Sequence, residues 1–441
     1  MRMMRGSKHL ARLVVVIGSI AGTVHAAAHD QIPGPPQTQP IAIIGATIHP
    51  ISRPPIERGT ILFEGGKIIA IGTEVAVPDA ALRIDGAGSH VYPGLIESMT
   101  DLGLREIGAV DVTLDSTETG SVNPNVRSWV ALNPDSELIP VARANGILTA
   151  MVVPKGGWIR GQSAVMALDG WTAREMQIRA PAGMWFQWEA TEPRGENEQD
   201  MVKAREDFLQ RLDNLIADSK RYADARRANP EAVPTNLLLE GMLEVVEGRT
   251  PLFAHADRQS TIESAVLYAA SRKLKLVIAG GYDAEACAEL LKRYDVPVVI
   301  TATYRLPLYR HDPYDAPYTL PARLHRAGVR FAICGDWDDS SNARNLPYHA
   351  ANAVAYGLPE DAALRAVTLG AAEILSVSDQ IGSLDVGKQA TLIRSSGNVL
   401  ESDTQILDAY IGGRKVDLSS RHRTLYEKYR QKYLQQKAAG S

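Results

Sequence analysis

Strands and helices alternate regularly in the second half of the chain. From Pro251 onward, the strand-like segments PLFAHA, LKLVIAGG, VPVVITAT and VRFAICG are separated by the helix-like segments STIESAVLYAASRK, DAEACAELLKRY and LPARLHRAG. Such alternation is typical of βα units around a parallel sheet. Upstream the pattern is weaker but continues, and over roughly 280 residues the economical closed form is an eight-stranded barrel. We therefore predict an α/β fold with a (β/α)8 TIM-like barrel over residues 93–375.

Strand-rich segments near both ends of the chain predict a second, smaller domain. IAIIGATIHPISRPPIERGTILFEGGKIIAIG follows a Pro-rich linker, and GSLDVGKQATLIRSSG and ILDAYIGGRKVDL lie near the other end. All consist of short β-branched runs divided by Gly and Pro turns. We expect residues 27–92 and 376–418 to complete one β-sandwich-like sheet domain, followed by a C-terminal helical tail at 419–441.

The first residues of the chain have the pattern of a secretory signal. A basic segment precedes an apolar run from Leu13 to Val24, and small residues then suit signal-peptidase cleavage. The run is shorter than the ~20 residues that a membrane-spanning helix needs, so a membrane anchor is the less favoured alternative. We predict a signal peptide over residues 1–26, cleaved near Ala26, and a periplasmic or secreted mature chain without a membrane span.

The composition of the chain argues against a nucleic-acid partner. The 441 residues are 45% hydrophobic and 22% charged, with a formal net charge of -4. This is an ordinary globular composition, and no basic stripe with interleaved aromatic residues predicts binding to nucleic acid. The two cysteines, Cys287 and Cys334, are expected to be buried and unpaired. The expected partner is therefore a small-molecule substrate.

In a parallel barrel the active site lies at the carboxyl ends of the strands, so the polar side chains at those ends are the candidates for chemistry. The candidates for catalysis or metal binding are Glu97, Asp101, Lys155, His255, Asp257, Asp336 and Asp338. The candidates for substrate binding are Gln162, Arg258, Tyr304, Arg305 and Arg344. Of these, Lys155 is expected to be a solvated lysine.

Four segments spread along the chain form a series. They are GTILFEGGKIIAIG leading to VYPGLIESMTDLG, then PLFAHADR, then VRFAICGDWD, and finally VTLGAAEILSVSDQIGSLDVGKQATLI. Together they resemble the amidohydrolase superfamily, especially its imidazolonepropionase-like and prolidase-like members, over nearly the entire mature chain. The resemblance implies the barrel-plus-sheet fold and metal-dependent hydrolysis of C–N bonds.

The chain departs from the family pattern at the first barrel strand. The family has a His-x-His pair there, whereas this chain has Met99 and Asp101, with Glu97 where the family has Asp. The thioether of Met99 is a poor ligand for a divalent ion such as zinc, while Asp101 offers oxygen.

Elsewhere the match is partial. His255 corresponds to the family's fifth-strand histidine, and the sixth strand ends without one. Asp336 is the nearest match to the eighth-strand Asp that binds metal and takes a proton from the attacking water, with Asp338 and Asp339 as competitors. The resemblance therefore implies a reduced site for one divalent ion, zinc if any, held by His255, Asp336, and Asp101 or Glu97. A site without metal is the alternative.

Three functional hypotheses follow. The first is an exported hydrolase that cleaves a C–N bond in a cyclic amide or dipeptide-like substrate, with Asp336 as the base for a metal-activated water. The second is a catalytically inactive homologue, either a small-molecule binding protein or a subunit that forms a homo-oligomer or assembles with an active homologue. The third is metal-free acid/base catalysis by the carboxyl groups of Glu97 and Asp101, which requires at least one perturbed pKa.

Overall fold

The structure is a computed structural model, and it describes residues 30–191, 198–337 and 339–439. The predicted signal peptide and Asp338 lie outside the described residues. Within these ranges the strands are β1 (Ile41–Ile48), β2 (Ile56–Glu64), β3 (Lys67–Gly72), β4 (Leu82–Asp85), β5 (His90–Pro93), β6 (Leu95–Thr100), β7 (Ile147–Val152), β8 (Ile159–Ala167), β9 (Gln177–Phe186), β10 (Leu252–Ala256), β11 (Leu276–Gly280), β12 (Val298–Ile300), β13 (Phe331–Ile333), β14 (Leu392–Ser395), β15 (Ile406–Ile411) and β16 (Arg414–Val416).

The α-helices of the same ranges surround the sheets. They are α1 (Ser128–Ala131), α2 (Leu138–Arg143), α3 (Glu198–Ala228), α4 (Leu237–Val246), α5 (Gln259–Arg272), α6 (Ala288–Arg293), α7 (Ala316–Ala327), α8 (Leu346–Ala355), α9 (Glu360–Ala366), α10 (Leu369–Ile374) and α11 (Arg421–Ala439). A search of the described helices finds none with the length and apolar character needed to cross a membrane.

Strands β6 to β13 form a nearly closed barrel sheet in chain order. From β9 to β13 every neighbouring pair is parallel, as the alternation of strands and helices predicts. Strand β8 is the exception, because it pairs antiparallel with both β7 and β9. The expectation of a strictly parallel (β/α)8 barrel is therefore wrong at β8. The connections on either side of it, residues 153–158 and 168–176, lie outside any helix and are shorter than the dozen or more residues of a parallel crossover.

The second sheet has the order β16-β15-β14-β5-β1-β2-β3, with β4 paired to β1. Its strands come from before and after the barrel, as predicted. The two contributions meet where β14 pairs antiparallel with β5, with Leu392 opposite Pro93. The sandwich-like form of this domain and the predicted domain boundaries stay predictions.

Apolar side chains fill the barrel interior. One buried cluster joins Met99 of β6, Met151 of β7, Trp185 of β9 and Phe253 of β10, and the rings of Trp185 and Phe253 stack at 4.7 Å. Cys334 lies in the same cluster, and Cys287 and Cys334 are both buried and form no disulfide with each other, as predicted. A packed interior of this kind leaves the strand ends as the place for polar chemistry.

Candidate active site at the barrel mouth

The barrel mouth is formed by the carboxyl ends of the parallel strands and by the amino end of β8. Asp101 follows β6, Lys155 follows β7, and Trp337 follows β13. Because β8 runs antiparallel, Arg160 at its start faces the same end of the barrel. The sequence interpretation did not select Arg160, although it selected Gln162 two residues later on the same strand.

An ion pair joins the first two strand ends. The Lys155 Nζ lies 2.8 Å from the Asp101 Oδ2, and the backbone N–H of Ser340 donates to the Asp101 Oδ1 at 3.1 Å. The Asp101 side chain is 1% exposed and that of Lys155 is 17% exposed. The expectation of a solvated Lys155 is therefore wrong, because the ammonium group compensates a buried carboxylate.

Glu97 lies one layer deeper and is fully buried. Both of its carboxyl oxygens accept from the backbone N–H of Gly335, at 3.1 and 3.0 Å. Burial raises the pKa of Glu97 to about 8, and the negative charge of Asp336 adds to this rise, while the hydrogen bonds from Gly335 and Met99 oppose it. The third hypothesis requires such a perturbed pKa, but the charge that perturbs it is that of Asp336 and not that of Asp101.

His255 occupies the centre of the mouth with an unsatisfied nitrogen. Its Nδ1 is buried and finds no hydrogen-bond partner among the described residues, and its ring lies 5.2 Å from that of Trp337. Burial lowers the pKa of His255 to about 3, helped by the positive charges of Arg160 and Arg305 and opposed by Glu189. The imidazole is therefore neutral near pH 7.

The indole ring of Trp337 contacts two cationic side chains in addition to His255. The Lys155 Nζ and the Arg160 guanidinium each lie 5.0 Å from the centre of the indole. Both distances are within the range of cation–π attraction. The sequence interpretation selected the carboxylates of the GDWD segment and did not select Trp337, although its indole directly follows Asp336 in the sequence.

Two further ion pairs surround His255. The Arg305 Nη1 lies 3.6 Å from the Asp257 Oδ1 and donates to the Thr301 Oγ1 at 2.9 Å. Burial raises the pKa of Asp257, and the charge of Arg305 opposes that rise. Arg258 pairs with Glu189 at 3.7 Å.

Glu189, which the sequence interpretation missed, anchors the segment after β10. It accepts from the backbone N–H groups of Asp257 and Arg258 at 2.7 and 3.1 Å and from the Thr261 hydroxyl at 2.6 Å. These hydrogen bonds favour the charged carboxylate, and the pKa of Glu189 is held below its usual value even though burial pushes it upward.

Asp336 lies between Glu97 and a histidine that the sequence interpretation assigned to an ordinary helix. Asn342 donates to the Asp336 Oδ2 at 3.2 Å. The Nδ1 of His349 accepts from the backbone N–H of Thr303 at 3.1 Å, so the proton of its neutral ring belongs on Nε2. Burial lowers the pKa of His349 to about 4, and the charge of Asp336 opposes this.

Of the remaining predicted substrate-binding residues, one lies at the barrel mouth and two make contacts elsewhere. Tyr304 is at the mouth, 54% exposed, with its ring 4.8 Å from that of His349. Gln162 is buried, and its amide donates to the carbonyls of Pro124 and Gly241 at 2.9 and 3.2 Å, so both of its N–H groups are occupied by the backbone. Arg344 is exposed and contacts His422 of α11 at 2.8 Å, away from the mouth. These contacts do not support the binding roles expected of Gln162 and Arg344.

Known proteins are similar to this chain in both sequence and fold. The model of the Amidohydrolase family matches residues 316–416. A solved amidohydrolase from Thermotoga maritima MSB8 is 26% identical with a TM-score of 0.75, and the match covers 86% of this chain and 99% of that one. The chain is therefore similar to amidohydrolases in fold over most of its length and in sequence over its C-terminal part. A prolidase complexed with N-methylphosphonate-L-proline shares the fold at 16% identity and a TM-score of 0.52, over 86% of this chain and 99% of the prolidase chain.

Curated relatives match over smaller parts of their length. Amidohydrolase tasK of Hapsidospora irregularis is 22% identical over 372 residues, which are 76% of this chain and 37% of tasK. A dihydroorotase of Mycobacterium tuberculosis is 33% identical over 106 residues, which are 24% of this chain and 22% of that enzyme. The chain therefore covers well under half the length of either relative.

Amidohydrolases generally bind divalent metal ions, and the side chains of this mouth do not fit one. In the part of the chain that the structure describes, no three His, Cys, Asp or Glu side chains gather closely enough to hold a metal ion. The predicted ligands His255, Asp336, Asp101 and Glu97 are therefore not brought into one coordination sphere. Lys155 and Ser340 occupy the oxygens of Asp101, and Gly335 occupies those of Glu97. We derive no step through a metal.

Proposed function

We propose that the chain is a hydrolase that cleaves the C–N bond of a small cyclic amide or dipeptide-like substrate carrying a carboxylate. The observation that carries the proposal is the neutral imidazole of His255, whose buried Nδ1 finds no partner among the described residues and whose pKa is lowered by burial and by the charges of Arg160 and Arg305. A hydrogen-bonding atom of this kind with two nearby guanidinium groups suits a polar, anionic ligand.

The substrate class follows from the cations around the mouth. Guanidinium groups bind carboxylates through paired N–H donors, and Arg305 is 25% exposed at the point where a ligand enters. The indole of Trp337 offers a flat surface against which an amide or a ring can lie. Similarity to amidohydrolases supports C–N hydrolysis, because relatives of this fold include a prolidase.

The reaction needs a base for water and donors for the developing oxyanion. Asp336 is the base in this proposal, because it follows β13 at the position that resembles the family's eighth-strand Asp, and a carboxylate can accept the proton of an attacking water. Arg160 and His255 are the groups that face a tetrahedral intermediate in the same cleft, and their hydrogen bonds to its oxygen would lower the barrier. Glu97 holds a proton near pH 7 and keeps a second negative charge away from Asp336.

Export remains part of the proposal, since the leader pattern of residues 1–26 suits a periplasmic or secreted enzyme. The substrate would then be a small molecule met outside the cytoplasm. No nucleic-acid partner is proposed.

The test measures hydrolysis of a panel of N-acyl amino acids, Xaa-Pro dipeptides and hydantoins. The rate of hydrolysis is monitored through the release of the amine product. Asp336→Asn is expected to lower kcat/KM at least ~100-fold, which is the scale of a lost general base. Asp339→Asn is the matched control: it makes the same charge change three residues away, and Asn still caps the turn that Asp339 caps through Ser341. Arg305→Lys is expected to raise KM with little change in kcat.

Two results would reject this function. Full activity of Asp336→Asn on a confirmed substrate would remove the proposed base. Binding of panel members with no turnover by the wild-type protein, and with equal affinity in Asp336→Asn, would support the catalytically inactive homologue instead.

A further inference from the structure

We infer that the ammonium group of Lys155 occupies, in this chain, the role of a divalent cation at the first-strand end of the barrel. The inference concerns the resting site and does not rest on the proposed hydrolysis. It is carried by the contacts of Asp101, of Lys155 and of the loop that places the lysine.

The first step is that each carboxylate oxygen of Asp101 already has a partner. It lies where the family pattern has the second histidine of a metal-binding pair, and its side chain is 1% exposed. Lys155 takes the Oδ2 at 2.8 Å and the Ser340 N–H takes the Oδ1 at 3.1 Å. A metal ion could reach this carboxylate only by displacing the ammonium group, and the displaced positive charge would then lie beside the metal.

The second step is that the other neighbours suit an organic cation better than a metal. The Lys155 Nζ lies 5.0 Å from the centre of the Trp337 ring, which attracts an ammonium group but offers a metal no lone pair. Met99, at the first of the two family positions, is buried in the apolar interior of the barrel. Both oxygens of Glu97 accept from Gly335. Lys155 thus pairs directly with Asp101, and its charge also reaches Asp339, whose pKa it helps to lower.

The third step is that a backbone hydrogen bond and a two-glycine turn fix the position of Lys155. Its N–H donates to the Ser116 carbonyl at 2.6 Å. Gly156 and Gly157 then turn the chain with φ of 80° and 67°, and a Cβ on Gly157 would meet the Ser121 carbonyl at 2.8 Å. The PKGGW segment is therefore a turn that holds the lysine beside Asp101, and only glycine adopts it without strain.

The experiment uses the mature protein and two independent readouts, metal content and thermal stability. Wild-type protein is dialysed against Zn²⁺ or against a chelator and then assayed for bound zinc and for Tm. We expect far less than one equivalent of zinc and the same Tm under both conditions. One tightly bound equivalent of zinc, or a Tm that rises with zinc, would overturn the inference.

Variants test the ammonium group itself. Lys155→Ala is expected to lower Tm by roughly 5 °C, because it leaves a buried carboxylate without its counter-charge. Ethylammonium in the buffer is expected to restore part of that loss, and Zn²⁺ is not. The matched control Lys155→Ala/Asp101→Asn has no charge to compensate, so ethylammonium should leave its Tm unchanged.

The variants also separate the inference from simple packing. Lys155→Arg keeps the positive charge and is expected to stay closer to wild type than Lys155→Ala. Rescue of Lys155→Ala by Zn²⁺ but not by ethylammonium would contradict the inference, as would equal rescue of the double variant. If Lys155→Ala does not fold, the zinc content of the wild-type protein and the Tm of Lys155→Arg still decide the question. Hydrolytic activity enters none of these measurements, so the proposed function can fail separately.

Discussion

Replacing Glu97 with Gln should change how the stability of the protein depends on pH. The carboxyl group is fully buried, and its pKa rises from 4.5 to about 8 on folding. Gln has the shape of the protonated carboxyl and cannot ionise. The Gly335 N–H, which now donates to Glu97, can donate equally to the amide oxygen of Gln.

The direction of the effect follows from the number of protons bound. Between pH 4.5 and about 8 the folded protein keeps the proton on Glu97, whereas the unfolded chain has lost it. The free energy of unfolding therefore falls as pH rises through this window, and no further loss occurs above it. The window spans about 3.5 pH units, and at about 1.4 kcal/mol per unit the total loss has an upper limit of about 5 kcal/mol.

The assay is urea unfolding at a series of pH values from about 5 to about 9, with stability taken from the linear extrapolation. The quantity compared is the difference in unfolding free energy between Glu97→Gln and wild type, which should grow in favour of the variant as pH rises. Other titrating groups cancel in that difference. Glu401→Gln, at an exposed position, is the control and should give a difference that does not vary with pH. Parallel pH profiles for Glu97→Gln and wild type would refute the reasoning.

Two other predictions concern buried charge. His349 has its pKa lowered from 6.5 to about 4, so below pH 6.5 the unfolded chain takes up a proton that the folded protein does not, and stability falls as pH falls. His349→Gln should remove about 3 kcal/mol of this acid loss between about pH 6.5 and pH 4, measured by urea unfolding, and an unchanged acid slope would contradict the assignment. Arg143 and Asp169 form a pair at 3.0 Å with side chains 4% and 1% exposed. Arg143→Met should destabilise the protein by about 3 kcal/mol, because the buried carboxylate loses one cation and keeps Arg414 and the Gly34 N–H. The control Arg53→Met breaks an ion pair with Asp385 in which the side chains are 43% and 30% exposed, and the expected loss of unfolding free energy is below about 1 kcal/mol. Equal losses for Arg143→Met and Arg53→Met would show that burial does not decide the effect.

Much of the barrel could be predicted because the relevant signal is local. From Pro251 onward each buried strand is followed by an amphipathic helix, and the predicted strands coincide with β10 to β13 within one to a few residues at each end. The direction of β8 is not a local property. Its segment is buried along its whole length and its pattern does not indicate a direction, so the short connections on both sides decide that it runs antiparallel.

The site shows the same division between local and tertiary information. His255, Asp336, Arg305 and Tyr304 could be placed at the mouth because each ends or follows a strand. Arg160 could not, because its position depends on the reversed direction of β8. Gln162 lies on the same strand, and its amide bonds two backbone carbonyls that the sequence gives no means of locating beside it.

This chain has Met99 and Asp101 where the family pattern has two metal-binding histidines at the first barrel strand. The physical reason for these residues becomes clear only when Lys155 is considered with them. Met99 adds to the apolar interior, where an imidazole without a metal would be a buried polar group lacking a partner. Asp101 alone would be a buried, uncompensated charge, and loss of a counter-charge at such a place is among the most destabilising changes known for single residues. Lys155 removes that problem, and it does so from a neighbouring strand end, through a turn that requires glycine. A site that had merely lost its function would not need the lysine or its turn, because an uncharged residue in place of Asp101 would serve the fold equally well. The retained pair therefore favours a mouth that still uses a fixed positive charge.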